Sequence, residues 1–441
     1  MTAAELLARL HELVAVHPAP QRLVVALSGG RDSTVLLHAL ATSAAAPRVP
    51  LAAVHVNHGL QPAAAAWEQR CAATAATFGV PFESHRVSVA RGSRDGREAA
   101  ARTARYALFR QLLAPGDWLL TAHHAGDQAE TLLMNLMRGS GVAGLAGIGE
   151  WQPFGHAHRV RPLLACPPGG IAAYARSHGL DWVEDPSNAD RAFDRNYLRH
   201  EVVPRLLARW PAAVESMARS AVLAGEARTL LEVLADSDLA AAGEPARLSL
   251  AVLANWSAAR QRNLLRHACR VAGLPPPPSR QLEQIVSHVL PARDDASPLV
   301  SWAGACARRY RGHLYLLPAS GAATVAPGVL LTPAAELPLG AGQGVLSLER
   351  DTQGIDPALA AAGLRIAYRQ GGEALKPAGR AGTHKLKKLL QEDGVVPWMR
   401  ARIPLLYAGE RLVAVADRWL AADCCRRQGF AVRWRGHAPL Y

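Results

Sequence analysis

The chain has 441 residues, half of them hydrophobic, with a formal net charge of +13 and a sequence pI near 10.0. That length supports a sizeable core and two or three domains, and the basic balance suits a polyanionic partner. Six cysteines without a CxxC pair argue against a zinc knuckle, an iron–sulfur cluster or a disulfide framework, while Glu5 and Glu12 near the N-terminus and the lack of a long charge-free apolar run point to a cytoplasmic protein that spans no membrane.

The apolar run Leu23 to Leu27 is expected to form a strand buried on both faces, and Val35, Leu36, Ala39 and Leu40 then recur at helical spacing. Between them lies Ser28-Gly29-Gly30-Arg31-Asp32-Ser33, with Ser33 as the expected N-cap. Such a junction gathers unpaired N–H groups at the positive end of a helix dipole, and glycines let backbone approach an anion closely. A phosphate is the natural occupant. A Walker loop would carry a lysine, which is missing; Asp32 beside polyphosphate makes sense with a divalent cation between them, most simply Mg2+.

Further along, "LAAVHVNHGL" (51–60) reads as a strand with its exit loop and "PFESHRVSV" (81–89) as a short strand. Residues 97–114 read as a helix with Tyr106, Phe109 and Leu113 on one stripe, and "DWLLTAHH" (117–124) as a strand. A helix from Asp127 follows, with Ala129, Leu132, Leu133, Leu136 and Met137 on its apolar face. This alternation predicts an α/β fold with a doubly wound parallel sheet, whose ligands sit beyond the carboxyl ends of the strands. Ser28 to Ser33, His55 to Gly59 and His123 to Asp127 are all expected there. From about residue 213 the pattern turns mostly helical and closes on a hairpin, "CARRYRGHLYLLP" (306–318); a Pro/Gly/Ala-rich stretch (318–338) leads to a last, small α+β domain. The expected domains are 1–212, 213–325 and 326–441.

Of 49 basic residues only Lys376, Lys385, Lys387 and Lys388 are lysines, within a segment from Arg365 to Arg402 that holds nine Lys/Arg and three Asp/Glu. A helix from Thr383 would bury Leu386, Leu389 and Leu390 and project Lys385 and Lys388 from one side. The cluster reads as a solvated helix face or as a contact for RNA backbone, and its isolation in an arginine-rich chain favours RNA.

Ser28 to Ser33 resembles the SGGxDS signature of the PP-loop ATP pyrophosphatases, which are adenine nucleotide alpha hydrolase-like. "HVNHGL" (55–60), "GREAAARTARY" (96–106), "TAHHAGDQAET" (121–131), "RGSGVAGLAGI" (138–148), "RPLL" (161–164), "WVEDPSNADRAFDRNYLRHEVVP" (182–204) and "RQGGEALKPAGRAGTHKLKKLLQEDGVVPWMRARIPLL" (369–406) follow in the order of one branch, the tRNA(Ile)-lysidine synthetases. One departure stands out: that family often has two consecutive acids where this chain has Gly126-Asp127. The resemblance implies a PP-loop catalytic domain followed by helical and C-terminal tRNA-binding domains, with ATP and Mg2+ as cofactors. It implies a tRNA(Ile) with a CAU anticodon and free L-lysine as substrates, with no obligate protein partner evident.

By the same resemblance, the C2 oxygen of the wobble cytidine attacks the α-phosphate of ATP, and the lysine ε-amine then displaces AMP to leave lysidine. Ser28, Gly29, Gly30, Arg31, Asp32, Ser33 and His55 would hold the nucleotide, with Asp32 also on the metal. Asp32, Asp127 and Arg195 would be catalytic. Arg105, Glu130, Arg138, Asp185, Asp190, Arg199, Lys385, Lys387 and Lys388 would meet tRNA or lysine. Asp127, Asp185 and Asp190 are alternatives for the group that receives the amine. His55, His58, His123 and His124 also read as strand-end histidines satisfied by backbone, and Arg195 and Arg199 as partners of Asp194 and Glu201. Among other functions, a tRNA thiolase would normally need paired cysteines, and an amide-forming PP-loop ligase would have no use for the basic tail. A non-catalytic RNA-binding protein would leave the loop idle.

Overall fold

The computed structural model describes residues 3–43, 49–59, 63–88, 96–293, 296–319, 328–333, 335–340 and 343–437, in two compact units, 1–232 and 233–441. Leu60, residues 89–95 and much of the 318–338 stretch lie outside the described residues.

In the first unit, helices and strands alternate as α1 (Ala3–Val16), β1 (Leu23–Ala26), α2 (Arg31–Thr42), β2 (Leu51–Asn57), α3 (Ala64–Thr77), β3 (Phe82–Arg86), α4 (Gly96–Leu112), β4 (Trp118–Leu120) and α5 (Ala125–Met137). The short α6 (Val142–Leu145), the hairpin β5 (Trp151–Phe154) and β6 (Ala157–Val160), and α7 (Pro168–Ser177) complete the sheet and its cover. The continuous apolar run of β1 serves two cores: Leu23 and Val25 pack with Leu6, Leu37 and Ile171 on one face, and Val24 with Tyr106 and Phe109 on the other. The strand order is β3-β2-β1-β4-β6-β5, parallel except for the edge strand β5. The chain winds outward from β1 to β3 and returns to the opposite side at β4. That reversal opens a crevice between the loops after β1 and β4, where α2 and α5 both present their N-termini.

Two helix starts beside the crevice differ from the sequence expectation. The first, α2, opens at Arg31 with Gly30 as the extended N-cap residue, so Ser33 sits inside the first turn rather than capping it. The second, α5, opens at Ala125, two residues before Asp127, because His124 caps it. Its apolar face is also not buried to the end: Leu136 is 52% and Met137 75% exposed, while Gly126, Gln128 and Glu130 near its start are buried.

After α7 come a 3-10 turn (Pro186–Ala189), α8 (Asp194–Tyr197), a π turn (Leu198–Val202), α9 (Val203–Arg209) and the 30-residue α10 (Ala213–Ala242). In the second unit, the helices Ala258–Val271 and Ser279–Gln284 pack Leu264, Leu265 and Leu282 against a five-stranded antiparallel sheet. The expected hairpin forms two of those strands, Ala305–Tyr310 and His313–Pro318. The C-terminal part is α+β, with a five-stranded and a four-stranded sheet around one core. The lysine-bearing helix runs Leu386–Glu392 rather than from Thr383, since His384 and Lys385 pair as a short strand with Ala374 and Leu375. Leu386, Leu389 and Leu390 are fully buried and all four lysines are exposed. No helix among the described residues is long and apolar enough to cross a membrane.

Candidate active site

The loop after β1 is closed by its own hydroxyls. Ser33 Oγ donates to Gly30 O (3.0 Å), accepts from Ser28 N–H (3.2 Å) and lies 3.0 Å from Ser28 Oγ, which accepts from Gly30 N–H (3.3 Å). Gly29 has φ of +85°, and a Cβ there would come within 2.9 Å of Cys71 Sγ, so both backbone angle and space require glycine. The Gly29 carbonyl accepts from Val183 N–H (2.8 Å), which ties the 182–185 segment to the loop.

Asp32 and His124 bring the two helix N-termini together. Asp32 Oδ1 accepts from Arg31 Nε (2.9 Å), and its Oδ2 lies 3.5 Å from His124 Nε2. His124 caps α5 by accepting Gly126 N–H at Nδ1 (3.0 Å), and Asp127 Oδ2 accepts His124 N–H (2.9 Å). This capping box explains the single acid in Gly126-Asp127. A Cβ on residue 126 would stand 2.8 Å from His124 Cε1, so the folded-back imidazole and a side chain at 126 exclude each other. Burial alone would raise the Asp32 carboxyl, yet His124 and Arg31 hold it below the usual carboxylate value. Burial likewise opposes charge on His124, and the carboxylates of Asp32 and Asp127 outweigh it and raise the imidazole pKa.

Behind this pair, α5 meets α8 and the π turn after it through acids and arginines. Arg199 grips the buried Glu130 with Nε (2.6 Å) and Nη2 (3.0 Å), and Nη2 also donates to Asp127 Oδ1 (3.1 Å). Arg195 lies 3.2 Å from Glu130 and donates to Thr131 Oγ1 (2.9 Å), whose hydroxyl donates to Asp127 O (2.7 Å). Burial, reinforced by the Asp127 charge, raises the Glu130 carboxyl despite Arg199. Glu201 pairs with Arg191 and Arg205 instead, so Arg195 and Arg199 turn to α5 and not to their own helix.

The fold thus gathers Ser28 to Ser33, Asp127, Glu130, Arg195 and Arg199 around one crevice. His55 lies beneath the loop, buried, with Nδ1 at 2.9 Å from Leu27 O and 3.4 Å from Cys71 Sγ, the backbone-satisfied arrangement. His58 is pushed down to about 4 by burial and by Arg105 and His55. Asp185 accepts Ser187 N–H and Asp190 accepts Ala192 N–H, both in turns that lead into α8. Arg138 is exposed at the C-terminal end of α5, and Lys385, Lys387 and Lys388 belong to the second unit. His124 as cap and Thr131 as the link to Arg195 were not evident from sequence. The only signal was "HHAGDQAET" itself, in which Thr131 follows Asp127 by one helical turn.

The PP-loop domain family matches residues 3–206, the TilS substrate binding domain 248–315 and the TilS substrate C-terminal domain 364–434. The chain is 45% identical over 417 residues to the tRNA(Ile)-lysidine synthase of Alkalilimnicola ehrlichii, covering 94% of each. It is 42% identical over 446 residues to that of Pseudomonas aeruginosa, covering 98% of each. With that of Methylococcus capsulatus it shares 41% over 419 residues, covering 93% of this chain and 95% of the relative. A PP-loop crevice at the switch point of the sheet, followed by both substrate domains in order and near full-length identity above 40%, has one consequence: the chain belongs to the tRNA(Ile)-lysidine synthase family.

Proposed function

We propose that the protein ligates free L-lysine to C2 of the wobble cytidine in the CAU anticodon of tRNA(Ile), in the cytoplasm, and releases AMP and pyrophosphate. The carrying observation is the meeting of Asp32 and Asp127 across His124, one from each helix N-terminus, beside a glycine loop shaped for phosphate. In the first step the loop N–H groups, the Ser28 and Ser33 hydroxyls and Arg31 bind the departing pyrophosphate, and the dipole of α2 offsets its charge. Asp32 suits a hard cation. It is ionised, its side chain is 30% exposed, and one carboxylate plus phosphate oxygens is the usual magnesium arrangement. Bound there, Mg2+ would supply further neutralisation of the leaving group.

The second step needs a neutral amine, whereas the lysine side chain has a pKa of about 10.4 in water. Asp127, at the more exposed end of the acidic pair, is our first candidate to attract the ammonium. Glu130, whose carboxyl is raised, is a better proton acceptor than an ordinary carboxylate. Asp185 and Asp190 remain the alternatives. Two acids and two arginines also suit the zwitterionic end of an amino acid, which can exchange partners with them without adding net charge. Segments 213–325 and 326–441 are assigned to tRNA. The deciding experiment incubates the protein with ATP, labelled lysine and tRNA, followed by nucleoside analysis. Labelled lysidine supports the reading, while a thiolated nucleoside or ADP as product overturns it.

A further inference from the structure

The facing sides of α4 and of β6 with the residue that follows it carry four arginines and, among the described side chains, no acid. The strand period puts Ala157, Arg159 and Arg161 on one side of β6, and the helical period puts Arg102, Arg105, Tyr106 and Phe109 together on α4. The guanidinium carbons of Arg102, Arg105 and Arg159 stand 5.0, 5.3 and 4.7 Å from the centre of the Tyr106 ring. Arg161 is 2% exposed; its Nη1 reaches Gly149 O and Gln152 Oε1, and its Nε is buried with no partner among the described residues. Arg159 donates to the same Gln152 oxygen, and its Nε is likewise buried and unpartnered.

Among the described residues no carboxylate pairs with any of the four. Burial, with Arg159 and Arg102 adding to it, pushes Arg161 down to about 10, and the Tyr106 phenol falls against burial because the four cations surround it. Such a group of cations is self-repelling, and buried guanidinium N–H groups are costly to leave unpaired. Arg195 and Arg199 offer no such excess, since Glu130 and Asp127 already neutralise them. Chain direction places the cluster at the ligand edge of the sheet. Arg161 follows the carboxyl end of β6, parallel to β4, and α4 begins at the edge where β3 ends. The electrostatic influence of Arg161 and Arg102 on His123, at the end of β4, agrees with that placement.

We propose that Arg102, Arg105, Arg159 and Arg161 form a phosphate subsite, separate from the PP-loop, that takes a backbone phosphate of the RNA strand beside the reacting base. Planar, forked donors ranged about the Tyr106 ring match the oxygens of a phosphodiester, as single lysines would not. This rests on tRNA being the substrate, but its test is a binding measurement and does not depend on lysidine being formed.

Equilibrium tRNA binding by the full chain is measured against salt for wild type, Arg102→Gln/Arg159→Gln and Arg159→Lys, with the ATP concentration for half-maximal pyrophosphate release as a second arm. The double variant is expected to weaken tRNA binding at least tenfold and to flatten the log–log salt slope by roughly 0.7 to 0.9 for each phosphate no longer neutralised, with ATP half-saturation within about twofold of wild type. Arg159→Lys, which keeps the charge, should retain most of the slope and guards against a double variant that fails to fold. Raised ATP half-saturation with an unchanged salt slope would assign the subsite to a nucleotide phosphate and overturn the RNA assignment. No change in either arm, in a variant that melts like wild type, would overturn the subsite itself.

Discussion

His124 is one residue with two duties, capping α5 through Nδ1 and facing Asp32 through Nε2. Its pKa is raised, so its charged partnership with Asp32 and Asp127 stabilises the fold fully below the ordinary value of 6.5 and is lost as pH climbs through the raised one. Asp32 behaves oppositely. Its depressed pKa contributes stability above the ordinary value of 3.8, which disappears as pH falls through the lowered one. His124→Asn keeps a capping acceptor and removes the charge. Melting temperatures from about pH 5.5 to about pH 8 should therefore show wild type losing its advantage over His124→Asn as pH rises, and parallel curves would contradict the charged pairing. The PP-loop was legible in the sequence because glycine, hydroxyl and carboxylate each carry a local requirement at a fixed offset. The role of His124 was not, since histidine is a poor N-cap candidate on propensity and its partner Asp32 lies 92 positions away.

Among elements, α5 is tied by charge to α8 and to the π turn that follows it. Glu130 is buried under two arginines, and Glu130→Gln would take the counter-charge from Arg195 and leave Arg199 with Asp127 alone. The arginine side chains are about one-third exposed, which softens the penalty for a buried broken pair to roughly 1–3 kcal/mol. We expect a lower melting temperature together with a larger rise in KM for lysine than for ATP; equal rises would make Glu130 purely structural. In the C-terminal helix, Lys388 is partly engaged by Glu392 at 3.8 Å, whereas Lys385 and Lys387 have no acid beside them among the described residues. Lys385→Ala with Lys387→Ala should therefore flatten the salt dependence of tRNA binding, by roughly 0.7 to 0.9 for each phosphate that loses its cation, and leave ATP use unchanged. An unaltered slope would mark the cluster as a solvated face. The apolar period of this helix was readable because it is local. The sheet of the second unit was not, because strands such as Gly243–Glu244 and Arg247–Ser249 are short, and Arg247–Ser249 finds its partner, His313–Pro318, more than 60 residues along the chain.

For the molecule as a whole, the +13 charge is arranged rather than spread. Around the PP-loop crevice cations and anions nearly cancel, so that site can be remade around substrates of either sign. Four arginines without a carboxylate partner among the described residues stand on the α4–β6 side of the first unit, and every lysine stands in the C-terminal part of the second. The α/β class and family order were visible from the first half of the sequence. Charge compensation was not, because it depends on which face of each element meets which neighbour.

The placement of the lysines also gives the protein a natural chemical address. Lys376, Lys385, Lys387 and Lys388 are the only side-chain amines and all are exposed, so an amine-reactive acylating reagent would modify, apart from any α-amino group, one neighbourhood of the surface and spare the arginine side chains of the catalytic unit. Peptide mass mapping should show those four sites labelled in the free protein. If they line the RNA path, saturating tRNA shields them while ATP does not, and the footprint is read without a single substitution.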